Sequence, residues 1–151
     1  MEIREDVLRK LRRYCSYRER CHKEVRSKLL SLKVYGYDLE NIISKLIEED
    51  FLNEERFAKA YCTGKYRIKK WGKNKIANGL RMNQVNSYCI KKGLQEIDEE
   101  EYLDNLHQLL QKKLRQYNLE DKKIIKSKLV SFAFSKGYSY EDIKRMMPAF
   151  D

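Results

Sequence analysis

Proline is almost missing from this chain, with Pro148 alone among 151 residues, and glycine occurs only six times. Both scarcities argue against a sandwich or barrel, whose many tight turns draw on those two residues. Long hydrophobic runs are missing too. The longest are three residues, as in Phe132-Ala133-Phe134, where about 20 are needed to span a bilayer, so no membrane helix is expected. The start, Met1-Glu2-Ile3-Arg4-Glu5-Asp6, is charged and lacks the apolar segment of a signal peptide, which points to the cytoplasm. Histidine is limited to His22 and His107, and none of Cys15, Cys21, Cys62 and Cys89 forms a C-x-x-C pair. The adjacent Cys21-His22 has no second ligand pair to complete a zinc site. Neither a metal nor another cofactor is expected, and the thiols read as reduced and half-buried on helices.

Catalytic motifs are equally scarce. The chain has no G-x-x-x-x-G-K-[ST] loop, no G-x-G-x-x-G, no H-E-x-x-H and no G-x-S-x-G. Neighbours on a helix point about 100° apart, so Cys21 and His22 are poorly placed to activate each other. Glu48-Glu49-Asp50 and Glu99-Glu100-Glu101 lack the loop pattern of a calcium site. The reading is a binding module and not an enzyme.

What the chain does hold is charge and tyrosine. Charged residues make up 37% and hydrophobic residues 42%, with 11 tyrosines, enough for a thin core under a large wet surface. The net charge of +10 is uneven: residues 1–75 carry 20 basic and 12 acidic side chains, the remainder 13 and 11. Arg9 to Lys33 holds ten basic residues against Glu19 and Glu24, and Arg56 to Lys75 holds eight with no acid. Such stripes attract polyanions; they also serve as solvated helix surface, and both readings stay open.

Apolar residues recur with helical period almost throughout. Val7, Leu8, Leu11, Tyr14 and Cys15 mark a first helix, and Val25, Leu29 and Leu32 a second running to about Val34, ended by Gly36. Asp38 is expected to cap a third, burying Leu39, Ile42, Ile43, Leu46 and Ile47, and Asn53 a fourth, with Phe57, Ala58 and Tyr61 inward. Trp71-Gly72 marks a corner before helices carrying Ile76, Leu80, Val85, Ile90 and Leu94, a long helix to about Tyr117, and two last ones. A block G-Y-x-Φ-E-x-I, with Φ apolar, occurs at Gly36–Ile42 and again at Gly137–Ile143, with a degenerate copy ending at Ile90. Equating Ile42, Ile90 and Ile143 gives steps of about 50 residues. The expected fold is therefore all-α: an elongated array of three tandem three-helix repeats over 1–52, 53–98 and 99–151, and a monomer.

Three segments carry a family resemblance. Arg20-Cys21-His22-Lys23-Glu24-Val25-Arg26-Ser27-Lys28-Leu29 resembles the R-S-x-x-E-L-x-x-K-L signature of the RecX family of bacterial recombination regulators. Phe51-Leu52-Asn53-Glu54-Glu55-Arg56-Phe57-Ala58 is similar to that family's F-L-D-D-x-R-F-A, and Trp71-Gly72-Lys73-Asn74-Lys75-Ile76 to its W-G-x-x-[KR]-I. Cys21 departs from the usual capping serine, Asp50 stands where glycine is common, and Gly79 where glutamate often precedes the leucine. The resemblance implies a regulator that binds the RecA filament on DNA, lodges in its groove, and limits strand exchange and ATP hydrolysis.

The candidate partner or nucleic-acid contacts are Lys65, Arg67, Lys69, Lys70, Lys73 and Lys75, interleaved with Tyr66 and Trp71 for stacking. A second set is Arg9, Lys10, Arg12, Arg13, Arg18 and Arg20. Arg56 is open between pairing with nearby acids and reaching outward, and Phe57, Ala58 and Trp71 read as core. Two rivals use the same charge without RecA: a sequence-independent binder of single- or double-stranded DNA, and a helix-turn-helix reader using Gln84, Asn86, Ser87 and Lys91.

Overall fold

The structure, a computed structural model, describes residues 4–117 and 121–148. The expected charged start at Met1–Ile3 and the close of the third unit at 149–151 lie outside the described residues. Within them the chain is all helix: α1 (Glu5–Tyr17), α2 (His22–Ser31), α3 (Gly36–Glu48), α4 (Glu54–Arg67), α5 (Lys73–Met82), α6 (Ser87–Leu94), α7 (Glu99–Leu114), α8 (Lys122–Ser135) and α9 (Tyr140–Met146). The broad helix–helix contacts fall inside the triplets α1–α3, α4–α6 and α7–α9, which gives the helical repeat array its units.

Each triplet turns its middle helix into its last by the same device. Lys33, Gln84 and Gly137 adopt left-handed φ of 62°, 60° and 101°. The next N–H, of Val34, Val85 or Tyr138, then reaches back to the carbonyl of Leu29, Leu80 or Ala133 at 3.0, 3.1 and 3.2 Å. This satisfies carbonyls the helix end leaves open. Two residues after the left-handed one come the N-caps Tyr35, Asn86 and Ser139, and four further on the buried Leu39, Ile90 and Ile143. The equivalent of Ile90 and Ile143 is thus Leu39 and not Ile42. The glycine match at 36 and 137 is displaced by three residues, because carbonyl satisfaction fixes the turn and glycine merely eases it. For the same reason α2 stops at Ser31 rather than Val34, and α3 begins at Gly36, ahead of the expected cap Asp38. Ile47, expected inside, is 45% exposed.

Two apolar clusters divide the interior unequally. Val7, Leu8, Leu11, Val25, Leu29, Ile42, Ile43 and Leu46 form the first, closed by Leu52. The second runs without interruption from α4 through α9, so the second and third triplets share one core. Their junction is built from three buried tyrosines. Tyr138 donates from its hydroxyl to the Lys70 carbonyl at 2.7 Å, Tyr102 accepts from the Lys73 N–H at 2.8 Å, and Tyr66 donates to Glu101 at 3.3 Å. Each phenol buries a ring and still finds a partner, which avoids the penalty of about 1–3 kcal/mol for an orphaned polar group.

Backbone meets backbone at the same place. The Gly72 N–H donates to the Lys136 carbonyl at 2.7 Å and the Asn74 N–H to the Gly137 carbonyl at 3.0 Å. A Cβ on Gly72 would lie 2.2 Å from the Gly137 carbonyl carbon. The Trp71-Gly72 corner is therefore the clasp between two units, and glycine is required by close approach.

The first junction is mostly polar. Arg56 Nε donates to both carboxylate oxygens of Glu19 at 2.7 and 2.8 Å and pairs with Asp50, which settles its role among acids. Lys23 Nζ donates to the Met82 carbonyl at 2.8 Å, and the His22 N–H to Glu54 at 3.1 Å. Among the described residues, Cys21 is the first triplet's buried contribution to the second cluster, an apolar plug with no exposed surface. As the N-cap of α2 it donates its own N–H to Glu24 at 3.1 Å, while its thiol faces Asn83 Oδ1 at 3.8 Å. The cap exchanges a serine hydroxyl for a side chain that packs into the neighbouring unit.

Candidate functional site

The two basic sets fare differently once folded. In the second stripe, Arg67 and Lys73 are drawn into the clasp by the first turn of α7, and Lys70 by Asn105 further along that helix. Lys73 Nζ reaches Glu99 at 2.6 Å and lies 4.8 Å from the Tyr102 ring centroid, Arg67 lies 3.3 Å from Glu101, and Lys70 Nζ donates to Asn105 Oδ1 at 3.0 Å. Tyr66, expected to stack on a ligand, is 1% exposed. That expectation is corrected: the ring points into the core because Tyr66 follows Cys62 by one helical turn on the inward face of α4. Lys65 and Lys75 rest on Trp71, with Nζ 4.7 and 4.6 Å from its ring centroid. The Lys69 side chain is exposed and makes no ion pair or hydrogen bond with the described residues.

The first stripe divides by helix face. Arg12 forks onto Glu49 at 2.9 and 2.7 Å, which ties α1 to α3 and holds that carboxyl below its usual range. Arg18 pairs with Glu24. Arg20 is 9% exposed, stacked 3.7 Å from the Tyr14 ring centroid and donating from Nε to the Tyr14 carbonyl at 3.0 Å. It is a fixed cation in the wall of the unit and not a mobile surface contact. Arg9, Lys10 and Arg13, by contrast, are exposed and make no ion pair or hydrogen bond with the described residues.

Two grooves collect Lys10, Arg13 and Lys69, while Arg9 lines neither. One, of about 500 Å³, is lined by Lys10, Arg13, Tyr17, Arg20 and Lys28 together with Tyr14 and Leu32, and holds no acid. Tyr17 is 84% exposed there. Sequence reasoning found its arginines but missed Lys28, which comes from the next helix, Tyr14 from the inward stripe of α1, and Tyr17 from its exposed end. The other groove, also about 500 Å³, lies between the end of α1 and the outer face of α4; Arg18, Tyr61, Gly64, Lys65, Ile68 and Lys69 are among its lining. Both grooves reach the end of α1, where Tyr17 lines one and Arg18 the other.

Of the polar residues of the helix-turn-helix rival, Asn86 serves the fold as a cap, while Gln84, Ser87 and Lys91 are exposed. Gln84 is the left-handed residue of its turn, and Asn86 accepts the Cys89 N–H at 2.8 Å as the α6 cap. The thiols are more buried than half. Burial raises Cys15 and Cys21 to about 11 and Cys62 to about 12, so they stay protonated at neutral pH and make poor nucleophiles. Among the described residues no helix is long and apolar enough to cross a membrane.

Comparison with known proteins identifies this arrangement. Residues 53–94 match the family model of the second three-helix domain of RecX, and residues 99–147 that of the third. The regulatory protein RecX of Clostridium tetani is 35% identical over 130 residues, covering 83% of this chain and 58% of that protein. RecX of Bacillus cytotoxicus is 29% identical over 131 residues, covering 87% of this chain and 48% of its own length. The chain therefore spans about half the length of the curated relatives it matches. The crystal structure of RecX from Lactobacillus salivarius superposes with a TM-score of 0.86 at 23% identity, covering 94% of this chain and 92% of that one, which speaks to the fold. With both domain models matched in order across most of α4–α9, this chain belongs to the RecX family of regulatory proteins.

Proposed function

We propose that this chain regulates homologous recombination and DNA repair by binding RecA filaments on DNA and restraining their ATP hydrolysis and strand exchange. Family membership supports the class of function. The observation that carries the site is the set of cations the fold leaves unspent. Lys10 and Arg13, with Lys28 and the exposed Tyr17, border one groove, Lys69 with Lys65 the other, and Arg9 stands exposed on α1 beside Lys10. A surface that keeps unpaired cations against their mutual repulsion suits an acidic partner or a phosphate backbone. A stack of units offers several contacts at once, and linked contacts gain avidity. The test is the ATPase of preformed RecA filaments titrated with the chain. Restraint that saturates at a fixed ratio to filament supports the reading, and an unchanged ATPase removes it.

A second reading has its own support in Tyr17. An exposed ring among Lys10, Arg13 and Lys28 is suited to stack an unpaired base while the cations hold phosphates, without reference to sequence or to RecA. Affinity for single-stranded DNA then falls roughly tenfold or more from low to physiological salt. Flat salt dependence contradicts it, and strong dependence on base sequence favours a helix-turn-helix mode instead.

A further inference from the structure

Gly64 is the one glycine inside α4, and the fold does not ask for it. A Cβ there meets no heavy atom within 4 Å, whereas one on Gly72, Gly79 or Gly93 would lie 2.2, 2.0 or 2.7 Å from a neighbouring atom. Glycine in a helix interior weakens the helix relative to alanine, so internal packing alone favours a side chain at this position. What the missing side chain does is leave the α4 backbone bare in the groove beside α1, where exposed Ala60 lies one turn earlier. At the mouth Ile68 is 79% exposed. Around it stand Arg18, Lys65 and Lys69, and the single acid of the lining, Glu24, is already engaged by Arg18.

We propose that this groove seats an acidic protein segment of the filament partner, with one apolar side chain set against Gly64 and Ile68 and carboxylates on Lys65 and Lys69. The proposal rests on the RecA-filament reading and names the surface that reading uses on α4. Charge complementarity selects an acidic occupant, and the aliphatic floor selects protein over nucleic acid. No open aromatic face is available for a base: Phe57 is 4% exposed, and Tyr61 is tilted against it at 5.9 Å with Lys65 Nζ 5.3 Å from its ring centroid. Lys65 is held on Trp71 and Tyr61 in the free chain, ready to exchange those rings for a carboxylate.

Gly64→Ala, Gly64→Leu and Lys69→Glu test this against RecA filaments preformed on single-stranded DNA, with naked single-stranded DNA run beside them. Gly64→Ala is expected to raise the melting temperature by about 2–4 °C while weakening filament binding. Gly64→Leu, with helical content retained, is expected to weaken it by about tenfold or more through overfilling, and Lys69→Glu to weaken it as well. Naked-DNA binding of the two glycine variants stays unchanged. Filament binding by Gly64→Leu equal to that of the unaltered chain overturns the proposal, as does a Gly64→Ala variant that melts lower, since the fold then requires the glycine. Parallel loss of naked-DNA binding assigns the groove to nucleic acid and overturns it too. Failure of the unaltered chain to bind filaments at all sinks the underlying reading, and this occupant with it.

Discussion

Glu54 sits at the seam between the first two triplets with 13% of its side chain exposed, near Glu24 and 3.9 Å from His22 Nδ1. Burial is the main cause that raises its carboxyl above the usual range of 4.5. A carboxyl with a raised folded value gives stability that is complete below its unfolded value and lost as pH rises through the folded one. At pH 7 Glu54 is thus a cost. Glu54→Gln keeps an acceptor for the His22 N–H and removes the buried charge, so it is predicted to melt higher at pH 7, with the gain shrinking as pH falls and the native carboxyl takes up its proton. A gain that persists undiminished at pH 4 contradicts this account. Lys33 offers a second residue-scale prediction. Its φ of 62° costs a side chain about 1–2 kcal/mol, partly offset by the greater unfolded-state freedom of glycine. Lys33→Gly is expected to gain about 0.5–1 kcal/mol in chemical denaturation, and a loss rules that reading out. Single residues were the hardest scale to read in sequence. Arg20 and Tyr66 look like surface contacts in a charged stripe, and only the packing of α1 against α2 and of α4 against α7 shows that both are enclosed.

At the scale of elements, the cations of the Trp71 corner separate into fasteners and free contacts. Lys73 holds Glu99 and lies over Tyr102, while Lys69, four residues earlier, holds nothing among the described residues. Lys73→Glu sets like charge against Glu99 and is predicted to destabilise by about 1–2 kcal/mol, whereas Lys69→Glu stays within about 0.5 kcal/mol. Equal melting temperatures for the two variants contradict the division. Gly72→Ala is a sharper probe, because its Cβ would enter the Gly137 backbone. The clasp has to open, and thermal unfolding is expected to separate α7–α9 from the rest. Helix existence and most inward faces were legible because the 3.6-residue period is a local signal. The junctions were not, since a backbone approach with no room for a Cβ, between residues 65 positions apart, leaves no periodic trace beyond the bare Trp-Gly and Lys-Gly pairs.

For the molecule as a whole, the core is shared unequally, and this bears on the proposed function. The second and third triplets form one apolar body, and the first joins it through ion pairs and the Cys21 plug. The grooves that keep free cations lie on the first triplet and at its seam with α4, so the proposed function puts partner binding on the unit least fused to the rest. The central claim is that these unspent cations engage the RecA filament. Its most direct measurement is co-sedimentation of the Arg9→Glu, Lys10→Glu, Arg13→Glu triple variant with RecA filaments on single-stranded DNA, after circular dichroism has shown an unaltered helical content. All three side chains are exposed and make no ion pair or hydrogen bond with the described residues, so the fold is expected to tolerate the change. The account predicts that the unaltered chain pellets with the filaments and the triple variant stays in the supernatant; a triple variant that pellets as fully as the unaltered chain contradicts it.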